Sequence, residues 1–437
     1  MKHTVKWRQG LVGVGLLSVT TASQAFDDDV ISRGEYLARA GDCVACHTAP
    51  GGEPFAGGLG VESPFGAIYS TNITPDPETG IGNYSRDEFA AALRQGERAD
   101  GKHLYPAMPY PSYSLITDED IDALYAYFME GVAPVKHTPE RTDLSFPFNQ
   151  RWGIGLWDWL FTNDETFSPD PERSDEQNRG AYLVQGLGHC GSCHTERGLF
   201  FQEKALDDSD DAFLAGEVLE GWYAPSLRGS GDGGSAIERW DDQAIVDYLA
   251  TGRNDESAVA GEMTSVVAHS TSHLNESDLQ AIAAYLNGLG SHGDRPLITD
   301  AQVDETDAML TRADVENDLG ARLYLDNCNA CHFSNGRGAS QVFPSLSGSS
   351  MVNADDPTGM IRVILAGARL PSTEQRPEAL AMPDFAWRLS DDEVAELATF
   401  VRGAWGNDAG AVSASAVAEV RDELPEDRVT SAPVIDD

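Results

Sequence analysis

The chain has 437 residues, 41% of them apolar and 23% charged, a composition that excludes wholesale disorder and, at about 150 residues per domain, suggests about three domains. With 71 Asp and Glu against 30 Lys and Arg the formal net charge is −41, which excludes nucleic acid as a partner and docking on anionic lipid by charge. A chain this long buries enough core to need no disulfides.

Residues 1–25 read as a secretory signal peptide: Lys2, Lys6 and Arg8 give the basic start, Leu11 to Thr20 the short apolar run, and Ser23-Gln24-Ala25 the small-residue cleavage site. The mature chain then begins near Phe26 and retains only Lys102, Lys136 and Lys204 as lysines. A dense acidic, lysine-poor surface suits high salt, where screening relieves self-repulsion; an acidic exported protein from a GC-rich genome accounts for it as well. No later segment reaches ~18 uninterrupted apolar residues, so no transmembrane helix is predicted.

The first domain is predicted over 26–140. It opens with a helix-like run, Arg33-Gly34-Glu35-Tyr36-Leu37, followed by Cys43-Val44-Ala45-Cys46-His47. A helix from Leu93 ends at Gly96, and Thr117-Asp118-Glu119-Asp120 opens the last helix with a capping-box pattern. Residues 141–176 form a bridge rich in Pro and Asp, with an aromatic patch inside it.

The second domain, 177–295, repeats the frame: Arg179-Gly180-Ala181-Tyr182-Leu183, then Cys190-Gly191-Ser192-Cys193-His194, a helix ending at Gly252, and a cap at Asn275-Glu276-Ser277-Asp278. A polar stretch near 290–304 links it to the third, 305–405. There Gly320-Ala321-Arg322-Leu323-Tyr324 precedes Cys328-Asn329-Ala330-Cys331-His332, a helix ends at Gly367, and Ser390-Asp391-Asp392-Glu393 supplies the cap. Tyr127, Tyr285 and Phe400 fall at matching places in the three closing helices, beside apolar residues at helical spacing. The tail, 408–437, is acidic; Val412 to Leu424 suits one helix, Pro425 stops it, and the end reads as disordered.

Six cysteines in an exported chain would ordinarily predict three disulfides. Here all six fall in three C-x-x-C-H pentapeptides, the signature of c-type haem attachment. Two thiols one helical turn apart add to the two vinyl groups of one porphyrin, and the adjacent histidine ligates the iron. Zinc would need two such pairs to converge, and a redox dithiol would not recur three times with a trailing His. The predicted fold class is all-α: three tandem small c-type cytochrome domains with three covalently bound haem c groups. Cys43, Cys46, Cys190, Cys193, Cys328 and Cys331 hold the porphyrins, and His47, His194 and His332 ligate iron.

An electron-transfer haem needs a second axial ligand, usually Met or His. Met108, in Tyr105-Pro106-Ala107-Met108-Pro109, lies between the midway helix and the last one; Met263 and Met382 occupy the same slot in the other repeats. His103 and His269 are the competitors. Met129, Met309, Met351 and Met360 read as core residues, and His137, His189, His273 and His292 as surface histidines. The ring nitrogen away from iron is expected to donate to a carbonyl or carboxylate; a downstream prolyl carbonyl often serves in small c-type domains, which makes Pro225 and Pro344 the candidates in domains two and three, with the equivalent stretch in domain one lying within Ser70 to Pro75.

The three C-x-x-C-H units, Tyr69-Ser70-Thr71-Asn72-Ile73-Thr74-Pro75, Tyr105 to Tyr110 and Trp405-Gly406-Asn407 resemble the triple-haem cytochrome c subunit of bacterial membrane-bound periplasmic dehydrogenases. Members of that family serve quinoprotein alcohol dehydrogenases and flavoprotein gluconate, sorbitol and fructose dehydrogenases; similar chains serve some molybdenum hydroxylases. The resemblance spans nearly the whole mature chain and implies a periplasmic location at the outer face of the cytoplasmic membrane. It implies that a catalytic subunit of flavin, pyrroloquinoline quinone (PQQ) or molybdenum type oxidises an alcohol, sugar or sugar acid. This subunit passes the electrons to ubiquinone or another acceptor, with no substrate chemistry of its own. One departure is the tail: family members often end in an amphipathic membrane-binding stretch, whereas Val412 to Asp437 is acidic.

The bridge run Arg151 to Phe161 carries three tryptophans. Packing between domains one and two is its expected role; contact with the membrane interface is the alternative, so peripheral membrane association stays open. Two further functions compete: a free-standing periplasmic electron carrier, docking by charge on basic partners, and a haem peroxidase, which would need a five-coordinate haem. The glycine-rich run 229–234 follows no strand and is not read as a nucleotide site.

Overall fold

The computed structural model describes residues 26–163, 165–219, 221–228, 237, 240–289 and 298–424. The signal peptide, the run 229–234, His292 and residues 425–437 lie outside the described residues.

The first group of elements comprises α1 (Asp28–Ala40), α2 (Cys43–Cys46), a hairpin of β1 (Gly60–Val61) and β2 (Ile68–Tyr69), α3 (Arg86–Gln95), α4 (Tyr110–Tyr113) and α5 (Asp118–Ala126). A π-helical turn, Tyr127–Gly131, extends α5. The bridge holds α6 (Trp152–Phe161). The second group comprises α7 (Asp175–Ala181), extended by a π-helical turn at Tyr182–Leu187, then α8 (Gly191–His194), the hairpin β3 (Glu217–Leu219) and β4 (Trp222–Ala224), α9 (Asp242–Thr251), α10 (Glu262–His269) and α11 (Glu276–Gly288). The third comprises α12 (Asp300–Thr311), α13 (Leu319–Asn327), α14 (Asn329–His332), α15 (Ser350–Asn353), α16 (Thr358–Ala366), the hairpin β5 (Ala368–Arg369) and β6 (Ala381–Met382), α17 (Asp391–Gly403) and α18 (Ala414–Asp422).

The described chain is helix-rich, as the sequence predicts, and three two-stranded antiparallel hairpins are added to its helices. Strands of two or three residues are too short to leave an alternating pattern, so periodicity could not reveal them.

One crossing recurs in each group. α1 packs on α5, α7 on α11 and α13 on α17. At each crossing a glycine lies against the facing backbone. A Cβ on Gly34 would stand 2.0 Å from the Ala123 carbonyl oxygen, on Gly180 2.0 Å from that of Ala281, and on Gly320 2.4 Å from that of Glu396. The second neighbour is the Cβ of Tyr127, Tyr285 or Phe400, 2.6 Å away in all three. Only glycine permits this approach, and the aromatic ring closes the gap beside it.

The three closing helices begin as their capping patterns predict. Thr117 accepts from the Asp120 amide (3.3 Å), Asn275 from Asp278 (2.8 Å) and Ser390 from Glu393 (3.3 Å). Only Glu393 also returns to its cap, accepting from the Ser390 amide at 2.9 Å. The midway helices end at Gly96, Gly252 and Gly367, all at positive φ.

The first two groups share one continuous hydrophobic core, whereas the third has its own. The third core also takes in Val303 and Leu310 of α12 and Val417 and Val420 of α18, so the acidic tail contributes a packed helix. Asn407 ties this region together: its amide donates to the Leu346 and Val401 carbonyls, and its oxygen accepts from the Gly348 and Asn353 nitrogens.

α6 divides its faces, which corrects the expectation of simple packing between the first two groups. Its Asp158 accepts from Tyr110 Oη (2.5 Å), and the Trp157 indole donates to the Phe200 carbonyl (2.9 Å), so one face joins the two groups. Trp152 and Trp159 on the other face are 75% and 78% exposed, and Leu156 and Leu160 are exposed beside them.

Replacing Gly180 by Ala should force α7 away from α11. Overpacking of this kind costs about 1–3 kcal/mol. The urea midpoint of the variant should fall accordingly; an unchanged midpoint would show that the crossing tolerates a side chain.

Candidate functional site

Each C-x-x-C-H pentapeptide forms a single helical turn placed just beyond a crossing helix. α1 ends at Ala40, and Asp42, at φ 51°, reverses the chain into α2; His189, at φ 36°, does the same before Cys190. The adjacent cysteine and histidine positions follow from that turn: the His47 amide donates to the Cys43 carbonyl, that of His194 to Cys190 and that of His332 to Cys328, each at 3.0 Å.

The three histidines share one second contact. Nδ1 of His47 lies 2.7 Å from the Thr71 carbonyl oxygen, that of His194 2.7 Å from Pro225, and that of His332 3.0 Å from Pro344. These are the two prolyl carbonyls, and a position within the segment, that the sequence indicates. A carbonyl can only accept, so Nδ1 carries the proton and Nε2 carries the lone pair. Withdrawal from water outweighs the hydrogen bond and holds all three imidazoles below the ordinary histidine range, so each is neutral and competent to ligate a metal.

The cysteines are not paired in disulfides. Burial, reinforced by Asp42 and the neighbouring thiol, pushes Cys43 up to about 12; burial does the same at Cys190 and Cys328, again to about 12. Redox dithiols need a depressed thiol pKa. These thiols are instead poised as protonated groups within a half-buried wall. No cluster of three or more His, Cys, Asp or Glu side chains suited to a metal ion occurs among the described residues.

Met108 sits in the turn before α4, its amide donating to the Tyr105 carbonyl at 3.0 Å; it packs on the first core, as does Cys43. Met263 is half-buried in the first turn of α10. Met382 lies in β6, paired with Ala368, and packs on the third group's core together with Cys328. Of the two competing histidines, His103 has its Nδ1 3.0 Å from Asp158 Oδ2, and its Nε2 faces the backbone at Gly155. His269 is exposed at the end of α10. Met360 is buried in the third core, with Met309 and Met351 beside it.

His137 and His273 are exposed, but His189 is not a surface residue. Its ring packs edge-on to Tyr113 (5.6 Å), and burial lowers its pKa. Tyr113 Oη in turn donates to the Gly41 carbonyl (2.7 Å), and Ser270 Oγ donates to that of Ala40 (3.2 Å). The first two motifs thus meet across the shared core, and Cys193 contributes to raising the Cys46 thiol to about 11, after burial and Asp42. The third group reaches the second through other contacts: Ser345 N to the Glu256 carbonyl (2.8 Å), and Ser340 and Gln341 to Asp255 (2.5 and 3.0 Å).

A reciprocal latch joins the first two groups. In the first, Arg33 binds Asp120 Oδ1 through Nε (3.0 Å) and Nη2 (2.6 Å), and Tyr182 of the second donates to Asp120 Oδ2 (2.6 Å). In the second, Arg179 binds Asp278 through both Nε (2.8 Å) and Nη2 (2.7 Å), and Tyr36 of the first donates to Asp278 Oδ2 (2.6 Å). Burial alone would raise Asp278, but the bonds from Arg179 and Tyr36 overcome it and hold the carboxyl below its ordinary range. At the matching places the third group has Leu319, Arg322 and Glu393, and Glu393 is spent on its own cap. The signal was in the repeated Arg-Gly-x-Tyr runs and the capping aspartates, but each run pairs with a partner in the other repeat, which spacing does not show.

The cytochrome c family profile matches residues 31–131 and 318–405. The chain is 45% identical over 415 residues to the gluconate 2-dehydrogenase cytochrome c subunit of Pantoea cypripedii, covering 93% of each chain. It is 46% identical over 430 residues to the cytochrome c subunit of the quinone alcohol dehydrogenase of Gluconobacter oxydans, covering 96% of this chain and 87% of that one. Over 416 residues it is 38% identical to the fructose dehydrogenase cytochrome subunit of Gluconobacter japonicus, covering 90% and 82%. The chain belongs to this family of dehydrogenase cytochrome c subunits, whose cofactor is covalently bound haem c.

Replacing Tyr182 by Phe leaves Asp120 Oδ2 buried with one donor fewer. A hydrogen bond to a charged group contributes about 1.5–3 kcal/mol. Equilibrium unfolding in urea should show a loss of that size, and Tyr36→Phe a similar one. If neither substitution moved the midpoint, the latch would not hold the two groups together.

Proposed function

We propose that this family member is the electron-transfer subunit of a periplasmic dehydrogenase complex. It accepts electrons from a separate catalytic subunit that oxidises an alcohol, sugar or sugar acid, and delivers them to ubiquinone or another respiratory acceptor. The observation that carries this reading is the threefold recurrence of one constellation: a C-x-x-C-H turn whose histidine is locked through Nδ1 to a carbonyl.

In this reading the chain is three tandem c-type cytochrome domains, 26–140, 177–295 and 305–405, each with one haem. Bound haem supplies one-electron redox chemistry at each site. The residues do the rest. Cys43 and Cys46, Cys190 and Cys193, and Cys328 and Cys331 attach the porphyrins. His47, His194 and His332 present Nε2 from a fixed tautomer, and Met108, Met263 and Met382, on loops and short elements beyond the midway helices, would supply the second iron ligand. Of the two competing histidines, His103 turns its Nε2 to the backbone at Gly155 and His269 is exposed.

No helix among the described residues is long and apolar enough to cross a membrane. Association with the outer face of the cytoplasmic membrane falls to the exposed face of α6, where Trp152, Leu156, Trp159 and Leu160 stand clear of the surface. Loop residues Leu199, Phe200 and Phe201 are exposed as well, and Phe201 reaches Phe65 at 5.2 Å. An uncharged aromatic face suits the interface between headgroups and hydrocarbon.

Gentle detergent extraction from the native host tests the assignment. The haem-bearing band should co-migrate with a catalytic subunit whose cofactor spectrum identifies its type, flavin, PQQ or molybdenum, and Trp152→Glu with Trp159→Glu should shift the complex from the membrane to the soluble fraction. A haem protein that runs alone from the soluble fraction would favour the free-standing carrier instead.

Replacing Met263 with His should lower one of three haem midpoint potentials, because the thioether favours the reduced iron. Potentiometric titration reads it; three unchanged potentials would overturn the Met263 assignment.

A further inference from the structure

The segment that carries Met382 contains two buried carbonyls, and both are held by one side chain. From β6 the chain runs through Pro383, Asp384, Phe385 and Ala386 to Ser390, the cap of α17. Its amides are taken on one side: Phe385 N donates to the Ile364 carbonyl and Ala386 N to that of Leu365, each at 3.1 Å, near the end of α16. Its carbonyls are taken on the other. Arg421 of α18 donates from Nη1 to the Ala386 oxygen (2.6 Å), from Nη2 to the Leu389 oxygen (2.7 Å) and from Nε to Asp391 Oδ1 (2.7 Å). Ala386 and Leu389 are both buried, so without Arg421 their carbonyls would be withdrawn from water and short of a donor.

The helix that supplies this arginine is itself anchored. Val417 and Val420 are buried in the third core, and Glu423 pairs with Arg362 of α16. The stretch before α18 is stitched to α17: Arg402 Nε donates to the Gly410 carbonyl (2.7 Å), and Val412 N to Thr399 Oγ1 (2.9 Å). The first group uses the same arrangement with different chemistry. There α6 also follows the closing helix and returns to the methionine turn, where its Asp158 accepts from Tyr110, two residues beyond Met108. In the second group the next described helix after α11 is α12, and it packs in the third core instead. A helix from beyond the closing helix thus reaches the methionine segment in the first and third groups, once with a carboxylate and once with a guanidinium.

We propose that Arg421 is a positioning residue for Met382, holding the segment after β6 so that the thioether stays on the iron of the third haem. This rests on the reading of Met382 as the second ligand of that haem. A thioether is a neutral ligand and a weak acceptor, so its bond to iron depends on other contacts that keep its chain segment in place. A planar guanidinium that grips two carbonyls and a carboxylate at once supplies that hold. An ammonium is a point charge on a flexible stem and replaces it only in part. The acidic tail thereby gains a role inside the protein: it folds back on the third group and carries the residue that steadies the ligand segment.

The full-length holoprotein tests this with Arg421→Met, which keeps an apolar stem, and with Arg421→Lys as the milder change. Mass establishes full haem content, and the Met382→His variant identifies which of the three potentials belongs to the third haem. Arg421→Met should shift that haem's equilibrium about tenfold toward the oxidised form, about 59 mV for a one-electron couple, because the thioether favours reduced iron. Imidazole added to the oxidised protein should displace the loosened thioether at a lower concentration than in the unsubstituted protein, and Arg421→Lys should lie between the two. Val303→Ala, at a buried position of α12 in the same core, supplies the comparison: it should lower the urea midpoint and leave the third potential and the imidazole titration where they were. The proposal is overturned if Arg421→Met moves neither of those two readouts, or if Val303→Ala moves them as far. Three unchanged potentials in Met382→His would instead overturn the assignment of Met382 on which the proposal rests.

Discussion

The close contact between a helix glycine and the carbonyl of a facing helix organises this molecule. At Gly34, Gly180 and Gly320 the helix before each C-x-x-C-H turn (α1, α7, α13) meets its partner (α5, α11, α17) with no side chain between the backbones. Because the crossing is that tight, the end of the opening helix is fixed relative to the closing one. The C-x-x-C-H turn starts within a few residues of that end, so its histidine is fixed too. The carbonyl that receives Nδ1 comes from a loop 12 to 31 residues later, and it can serve only if the turn stands where the crossing places it.

The same crossings explain why the three groups are not equivalent. In the first two, the residue before the glycine is an arginine that binds the capping aspartate of the closing helix, and the aspartate's second oxygen accepts from a tyrosine of the other group. Each group completes the other's buried carboxylate. Removing either tyrosine would leave a desolvated charge short of donors. In the third group Glu393 turns back to cap its own helix, and the polar contacts with the second group run through loop residues such as Ser345 and Ser340 instead. A difference of one methylene between aspartate and glutamate accompanies this change: the longer side chain reaches its own cap, as a capping box requires, and the shorter one is free for arginine.

Acidity and apolar exposure divide the surface between them. The chain as a whole is strongly negative, but α6 offers solvent a face of Trp152, Leu156, Trp159 and Leu160, with its Asp158 turned inward to Tyr110 and His103. Burying that one carboxylate is what leaves the outer face without charge. The helix could not be read from its tryptophans alone, because the same residues serve both to wedge and to protrude, and only the positions of Tyr110 and Phe200 decide which ring does which.

Much of the chemistry was legible in the sequence because it is local. Two cysteines and a histidine in five residues define their own geometry, a cap lies three residues from its carboxylate, and a glycine ends a helix where it stands. The histidine acceptors Pro225 and Pro344 could be named because a downstream prolyl carbonyl often serves in small c-type domains. The hairpins were missed because two residues carry no period. His189 was misplaced because its surroundings come from Tyr113 and Gly41 of another repeat, and the roles of Asp120 and Asp278 were unreadable for the same reason. What the sequence by itself determined was the C-x-x-C-H turn, its threefold repetition and the helices that carry it, all set by contacts within a few residues. Which groups share a core and which carboxylates receive which tyrosines were decided only by the tertiary structure, because desolvation and long-range pairing depend on residues brought together from distant parts of the chain.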